Sequence, residues 1–184
     1  MDVKSERSRQ DRLMRYPPFL RGGFRPFFLG GALWALAVVA LWVSAIAGWI
    51  SLPTAFDPLA WHRHEMLFGY LGAVVSGFLM TAIPNWTGRF PVAGGRLAAL
   101  ALLWVAARLA VLCSAEVGPA VAFGLDVGFL LVMAAFAARE IIDPRNRNFP
   151  IVVALLLFAG ADALDYADAF GTFVPAGLGW RSGF

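Results

Sequence analysis

The chain has 184 residues, of which 60% are hydrophobic and only 15% charged, with a mean hydropathy of +0.70. Soluble chains carry about 25% charge, and a small domain presents much of its residue set to water, so this composition excludes a soluble enzyme or binding domain and requires lipid as the solvent. The net charge of +3 and pI near 9.6 would suit nucleic acid, but the basic residues collect ahead of the first apolar run and between later ones, which orients a membrane protein and does not line a groove.

Taken in chain order, residues 1–26 form a basic segment holding Lys4, Arg7, Arg9, Arg12, Arg15, Arg21 and Arg25. The first apolar run extends from Phe27 to Ile50. Ala45-Ile46-Ala47 inside it resembles a signal-peptidase site, but the run exceeds the roughly 7 to 15 residues of a cleaved signal's apolar region, so it reads as an uncleaved anchor. Ser51-Leu52-Pro53 makes a turn. The second run, Met66 to Ile83, is preceded by Asp57-Pro58, a good cap and first-turn pair because the carboxylate accepts free amide hydrogens where proline needs no donor. A helix from Pro58 to Ile83 would be about 39 Å long, more than the roughly 30 Å hydrocarbon core, which puts its first two turns at the outer headgroup level.

Pro84-Asn85-Trp86-Thr87-Gly88 forms the next turn, and a third run covers Leu97 to Cys113. The fourth covers Pro119 to Ala138, Asp143-Pro144-Arg145-Asn146 turns the chain again, and the fifth covers Pro150 to Tyr166. Cys113 is the single cysteine, so no disulfide framework exists within the chain. The expected architecture is an all-α, polytopic bundle of five transmembrane helices over residues 27–170, followed by a short outer tail at 171–184. With the N-terminus in the cytoplasm, only Arg63 and Arg181 of the fifteen Lys and Arg residues lie outside, and Arg108 lies within the third span. That topology puts the glycosylation-like Asn85-Trp86-Thr87 on the cytoplasmic side, where it is discounted. Trp49, Trp61, Trp86 and Trp180 fall near the interfaces and read as anchors.

The segment from Phe56 to Arg89 is the richest in chemistry. It carries both histidines, His62 and His64, next to Glu65 and Met66. On a helix the two imidazoles point about 200° apart, so two one-histidine ligations are more natural than one shared ion. His62 shares a face with Glu65 and Met66, and His64 shares one with Trp61 and Phe68. Neutral imidazole can ligate haem iron or copper, and a thioether favours reduced copper. Interfacial polar residues would show the same pattern, because H-x-H is a short motif. Gly69, Gly72, Ala73, Ser76 and Gly77 form small-residue stripes suited to close helix packing.

Arg108 and Asp126 lie about six and about eight residues below the outer ends of their spans. Charges at such depth are costly unless paired, which predicts an intramembrane ion pair between them. Asp162, Asp165 and Asp168 sit on the last turns of the fifth span, where acids oppose the helix dipole and need a compensating cation, proton or partner, or else solvent. Solvent exposure is the simpler account and is the expectation adopted.

Gly23-Phe24-Arg25-Pro26-Phe27-Phe28-Leu29, Trp61-His62-Arg63-His64-Glu65-Met66-Leu67-Phe68-Gly69-Tyr70, Thr81-Ala82-Ile83-Pro84-Asn85-Trp86-Thr87-Gly88 and Asn146-Arg147-Asn148-Phe149-Pro150 occur in this order along the chain. Together they resemble the NnrS family. The resemblance implies a multi-pass protein of the bacterial inner membrane that contains haem and copper and serves nitric oxide metabolism or the response to nitrosative stress. By position in the matching segment, it makes His62, His64 and Met66 candidate metal ligands, with Glu65 orienting an imidazole from behind. Longer members of the family carry further spans, so the chain resembles an N-terminal half. Its missing helices would then come from a second copy or a partner chain, with a small ligand such as nitric oxide bound in the bilayer. A truncated copy, or a metal-free transporter-like or assembly module, is the alternative.

The topology is directly testable. Reporter fusions after Ser114 and after Asn148 should report opposite sides of the membrane, and equal signals from both would rule out five spans with the N-terminus inside.

Overall fold

The computed structural model describes residue 11, residues 13–141 and residues 148–171. The loop Asp143-Pro144-Arg145-Asn146, the tail with Trp180 and Arg181, and the first basic residues lie outside them. The described chain is helical, with five helices long and apolar enough to cross a membrane. These are α1 (Phe24–Ile46), α2 (Pro58–Thr87), α3 (Gly95–Leu112), α4 (Pro119–Ile141) and α5 (Phe149–Phe170). Among the described residues there is no strand.

Helix ends follow local chemistry. A 3₁₀ turn at Pro18–Leu20 leads into α1, and Pro26 is tolerated in its first turn, where amides have no helical acceptor. α1 ends four residues before the expected Ile50. There Gly48 takes a left-handed φ of 72°, and the Trp49 amide reaches back to the Ser44 carbonyl, a Schellman-type stop. α2 begins as the sequence predicts, the Asp57 carboxylate accepting from the Leu59 and Ala60 amides at 3.0 Å each. It does not stop at Pro84. Proline removes a donor but leaves the helix free to continue for another turn, which the Thr87 hydroxyl secures by donating to the Ile83 carbonyl at 2.8 Å, before Gly88 closes the helix at φ 67°.

Packing is organised in three layers. The central one joins Phe27 of α1, Phe68 and Met80 of α2, Trp104 of α3, Phe129 and Met133 of α4 and Ala159 of α5. On one side of it lie Val38, Phe56, Trp61, Val111, Ala122 and Tyr166, and on the other Leu79, Ile83, Ala137, Ile141, Val152 and Leu155. Large apolar residues also point outward. Leu36, Leu102, Leu157 and Leu164 are each at least 67% exposed, as a lipid-facing belt requires. The α1–α2 loop is pinned to the end of α3, where the Ser114 hydroxyl accepts from the Ala55 amide at 2.9 Å and lies 3.1 Å from the Thr54 hydroxyl.

The small-residue stripe on α2 serves more than one neighbour. Ala73 and Gly77 meet α1, where a Cβ on Gly31 would come within 3.1 Å of Ala73 and one on Gly77 within 2.8 Å of the Phe28 ring. Gly72 instead faces Leu130 of α4 and Phe158 of α5. The tightest approach is at the start of α1, where a Cβ on Gly23 would fall 2.1 Å from the Met80 Cβ. Gly23→Ala should therefore destabilise the bundle by about 1–3 kcal/mol, read as a lower Tm in detergent. Gly124→Ala, where a Cβ meets nothing within 4 Å, should leave the Tm nearly unchanged.

Candidate functional site

The site begins with a local irregularity in α2. Residues Glu65–Tyr70 form a π-helical turn, in which the Leu71 amide bonds the Met66 carbonyl, a five-residue step. One residue is in effect inserted, which re-aims the side chains on either side and loosens the regular carbonyl pairing. The Gly69 carbonyl accepts from the Trp104 indole at 3.0 Å. Gly69 also has no room for a side chain: a Cβ there would lie 2.4 Å from Glu65 Oε2 and 2.7 Å from Arg108 Nη1. The bare backbone makes space for a charged contact.

That contact is one link in a continuous polar cluster. Glu65 Oε2 accepts from the Trp34 indole of α1 at 2.6 Å and from Arg108 Nη1 of α3 at 2.7 Å. Arg108 Nη2 donates to Asp126 Oδ1 of α4. The other oxygen of Asp126 lies 2.8 Å from His64 Nε2 and accepts from the Tyr166 hydroxyl at 3.4 Å. His64 Nδ1 faces Asp165 Oδ2 of α5 at 2.9 Å, and Asp165 Oδ1 accepts from Arg63 at 2.6 Å. All five long helices contribute. His64, Glu65, Arg108, Asp126 and Asp162 are each no more than 1% exposed, whereas the Arg63 side chain is 50% exposed. The cluster runs from the bundle surface at Arg63 into its interior at Glu65.

Carboxyl oxygens face both ring nitrogens, an arrangement that suits His64 as an imidazolium donating from each. Its ring is also enclosed by Phe56, Phe68 and Tyr166, with centroids 5.1 to 5.2 Å away. The cations Arg63, His64 and Arg108 then face the carboxyls of Glu65, Asp126, Asp162 and Asp165, leaving an acid in surplus. Asp162 is the odd one. Both its oxygens are buried without a hydrogen-bond partner among the described residues, and the nearest cationic atom, His64 Nδ1, is 3.8 Å away. His64, Asp126 and Asp162 could each direct one ligand atom at a common point, these atoms lying within 4.8 Å of one another.

The predicted residues therefore separate. Arg108 meets Asp126, but as the middle of a larger cluster and not as an isolated pair. Glu65 bonds Arg108 and Trp34, and no imidazole nitrogen is bonded to it. His62 turns away from His64 and stacks on Trp42 of α1, with ring centroids 4.1 Å apart and an interplanar angle of 13°. Its Nδ1 is buried without a partner among the described residues. Met66, one turn along from His62, packs half-buried against the Trp61 layer.

The aspartates of α5 correct the expectation of solvent exposure: Asp162 is fully buried and the Asp165 side chain only 13% exposed, and Asp168 alone is exposed. The partner that the helix dipole called for is the His64–Arg63 turn of α2. Trp34, Tyr166 and Arg63 had no mark in the sequence as cluster members. The three-residue spacing of Asp162 and Asp165, facing a turn rich in cations at matching depth, was the available signal.

A five-span helical bundle with a multi-helix charged cluster buried among its helices defines a polytopic membrane protein with a built polar site. The family model described as NnrS protein matches residues 18–183, and the chain belongs to that family. No curated protein and no solved structure matches it.

Removing one partner of a buried ion pair typically costs about 3–5 kcal/mol. Arg108→Gln and Asp126→Asn should each lower stability strongly. The double variant should be less destabilised than the two losses added together, with a coupling of about 0.5–3 kcal/mol; strict additivity in thermal denaturation would show that the contact carries no energy of its own.

Proposed function

We propose that this NnrS-family protein is a metal-bearing membrane component of nitric oxide metabolism or nitrosative-stress defence, in which the two histidines do different work. The observation that carries this reading is the unpartnered, buried Nδ1 of His62. An orphaned imidazole nitrogen in an apolar wall is costly, and binding a metal is one way to satisfy it. The residues fit copper in donor chemistry: His62 supplies a borderline nitrogen, and Met66 one turn along supplies a soft thioether suited to the reduced ion. They fit haem less fully, since His64 has both ring nitrogens committed to carboxylates and would have none free for iron.

When bound, reduced copper or ferrous haem would supply an open coordination position for nitric oxide. The protein's own groups do the positioning. His64 ties the first turns of α2 to α4 and α5 through Asp126 and Asp165, which holds the preceding turn so that His62 stays flat against Trp42. Trp42 fixes the imidazole plane by stacking. Glu65, one turn along α2 from His62, is itself held by Arg108 and Trp34 and is not drawn on for this role. Longer family members and the many outward apolar faces are compatible with a second copy or a partner chain alongside.

A second reading, a metal-free transporter-like or assembly module, is favoured by the commitment of His64 to carboxylates. One experiment separates the two. Protein purified in detergent should contain copper by mass-spectrometric metal analysis, or show a Soret band that shifts on adding nitric oxide. His62→Ala should abolish that signal, whereas His64→Ala should chiefly lower the Tm. Equal metal content in wild type and His62→Ala would overturn the assignment of His62, and absence of metal from protein made in copper- and haem-supplemented cells would establish the second reading.

A further inference from the structure

The end of the bundle that carries the N-terminal segment holds a groove of about 940 Å³ between α3 and α4. Its chemistry changes with depth. Arg96 in the first turn of α3 and Arg139 in the last turn of α4 stand on its rim, and both are exposed. Neither guanidinium has an acidic partner among the described residues. Glu140, also on the wall, is occupied by Arg89 at 3.0 Å. Among the described residues the rim is therefore electropositive.

Below it the groove is apolar. Leu100 and Leu103 follow Arg96 by four and seven residues on α3, and Phe136 and Val132 precede Arg139 by three and seven on α4, so each helix presents its arginine and its apolar pair on one face. The apolar walls extend about 10 Å inward from the rim. Val132 is 42% exposed, so the groove opens sideways to the bilayer.

Tyr16 closes the mouth. Its ring lies where a Cβ on Gly94 would be, 2.3 Å from the nearest ring atom, and the Gly94 amide in turn donates to the Leu20 carbonyl at 2.9 Å. Gly94 has φ 63°, a conformation that suits glycine. The N-terminal segment is thus fastened to the groove with an aromatic ring at headgroup level.

We propose that this groove binds an anionic phospholipid of the adjacent leaflet, its phosphate between Arg96 and Arg139 and an acyl chain along Leu103, Val132 and Phe136. Guanidinium forks match phosphate oxygens in pairs, and basic pockets between transmembrane helices suit lipid headgroups. A soluble phosphate would satisfy the rim but leave the apolar walls unused, and a zwitterionic lipid would bring its own headgroup cation to a rim that already holds two guanidiniums.

The test is native mass spectrometry of the full chain in detergent, titrated with dioleoylphosphatidylglycerol, dioleoylphosphatidylcholine or glycerol 3-phosphate. Phosphatidylglycerol should bind about tenfold more tightly than phosphatidylcholine. Arg96→Gln with Arg139→Gln should abolish the preference, whereas Arg96→Lys with Arg139→Lys should retain most of it. Val132→Trp, which keeps both charges and fills the groove, should weaken phosphatidylglycerol binding to a similar degree and serves if the glutamine variant fails to fold. Equal binding of the two lipids by wild type, an unchanged preference in the glutamine variant, an unchanged phosphatidylglycerol affinity in the tryptophan variant, or glycerol 3-phosphate binding as tightly as the lipid would each overturn the proposal.

Discussion

The bundle depends on a charged cluster whose inner members, His64, Glu65, Arg108, Asp126 and Asp162, are buried among the helices. An ionised side chain in the hydrocarbon region costs about 2.5–3.5 kcal/mol even on lenient scales, and this site gathers Arg108, His64 and four carboxyls. Each is tolerable only because the next is in place. Glu65 needs Arg108, Arg108 needs Asp126, and Asp126 needs His64, so helices that lipid would otherwise leave indifferent to one another are held in a particular rotation and depth. Apolar packing between transmembrane helices gains little from expelling lipid. The polar contacts carry much of the specificity.

The π-helical turn makes the cluster possible. Consecutive residues on a helix diverge, and His64 accordingly reaches α4 and α5 while Glu65 reaches α1 and α3. Glycine at position 69 of the irregular turn leaves the room that the Glu65–Arg108 contact fills, while Trp104 claims its backbone carbonyl. A helix that gives up regular hydrogen bonding in the membrane must recover it elsewhere, and here a neighbouring indole does so. Two residues apart on the regular first turns of α2, His62 and His64 point to different neighbours, one stacked against an indole with a free nitrogen and the other saturated by carboxylates. Adjacent histidines thus meet opposite environments, one suited to ligation and one to structural charge.

Polarity differs between the two ends of the bundle. At the Arg63 end, charge is drawn inward and shared among contacting groups. At the other end Arg96 and Arg139 stay at the surface, with Arg89 and Glu140 paired beside them. Buried charge fixes helix against helix, and surface charge faces the headgroups.

Much of this architecture follows from local chemistry and is legible in the residues alone. The lipid solvent, the five spans, the start of α2 at Asp57-Pro58 and the matching depths of Arg108 and Asp126 rest on hydropathy, capping and rise per residue, which are properties of short segments. Membership of the NnrS family was likewise carried by motifs such as Trp61-His62-Arg63-His64-Glu65-Met66. Other features wait on the tertiary structure: the burial of Asp162 and Asp165, the turning of Glu65 toward Trp34 and Arg108, and the partners that the two diverging histidines meet, Trp42 for His62 and two carboxylates for His64. A segment's composition says how deep a residue lies, but which neighbour it meets depends on the rotation of each helix about its axis. That rotation is decided jointly by all five helices and by one inserted residue in α2, and no short segment contains it.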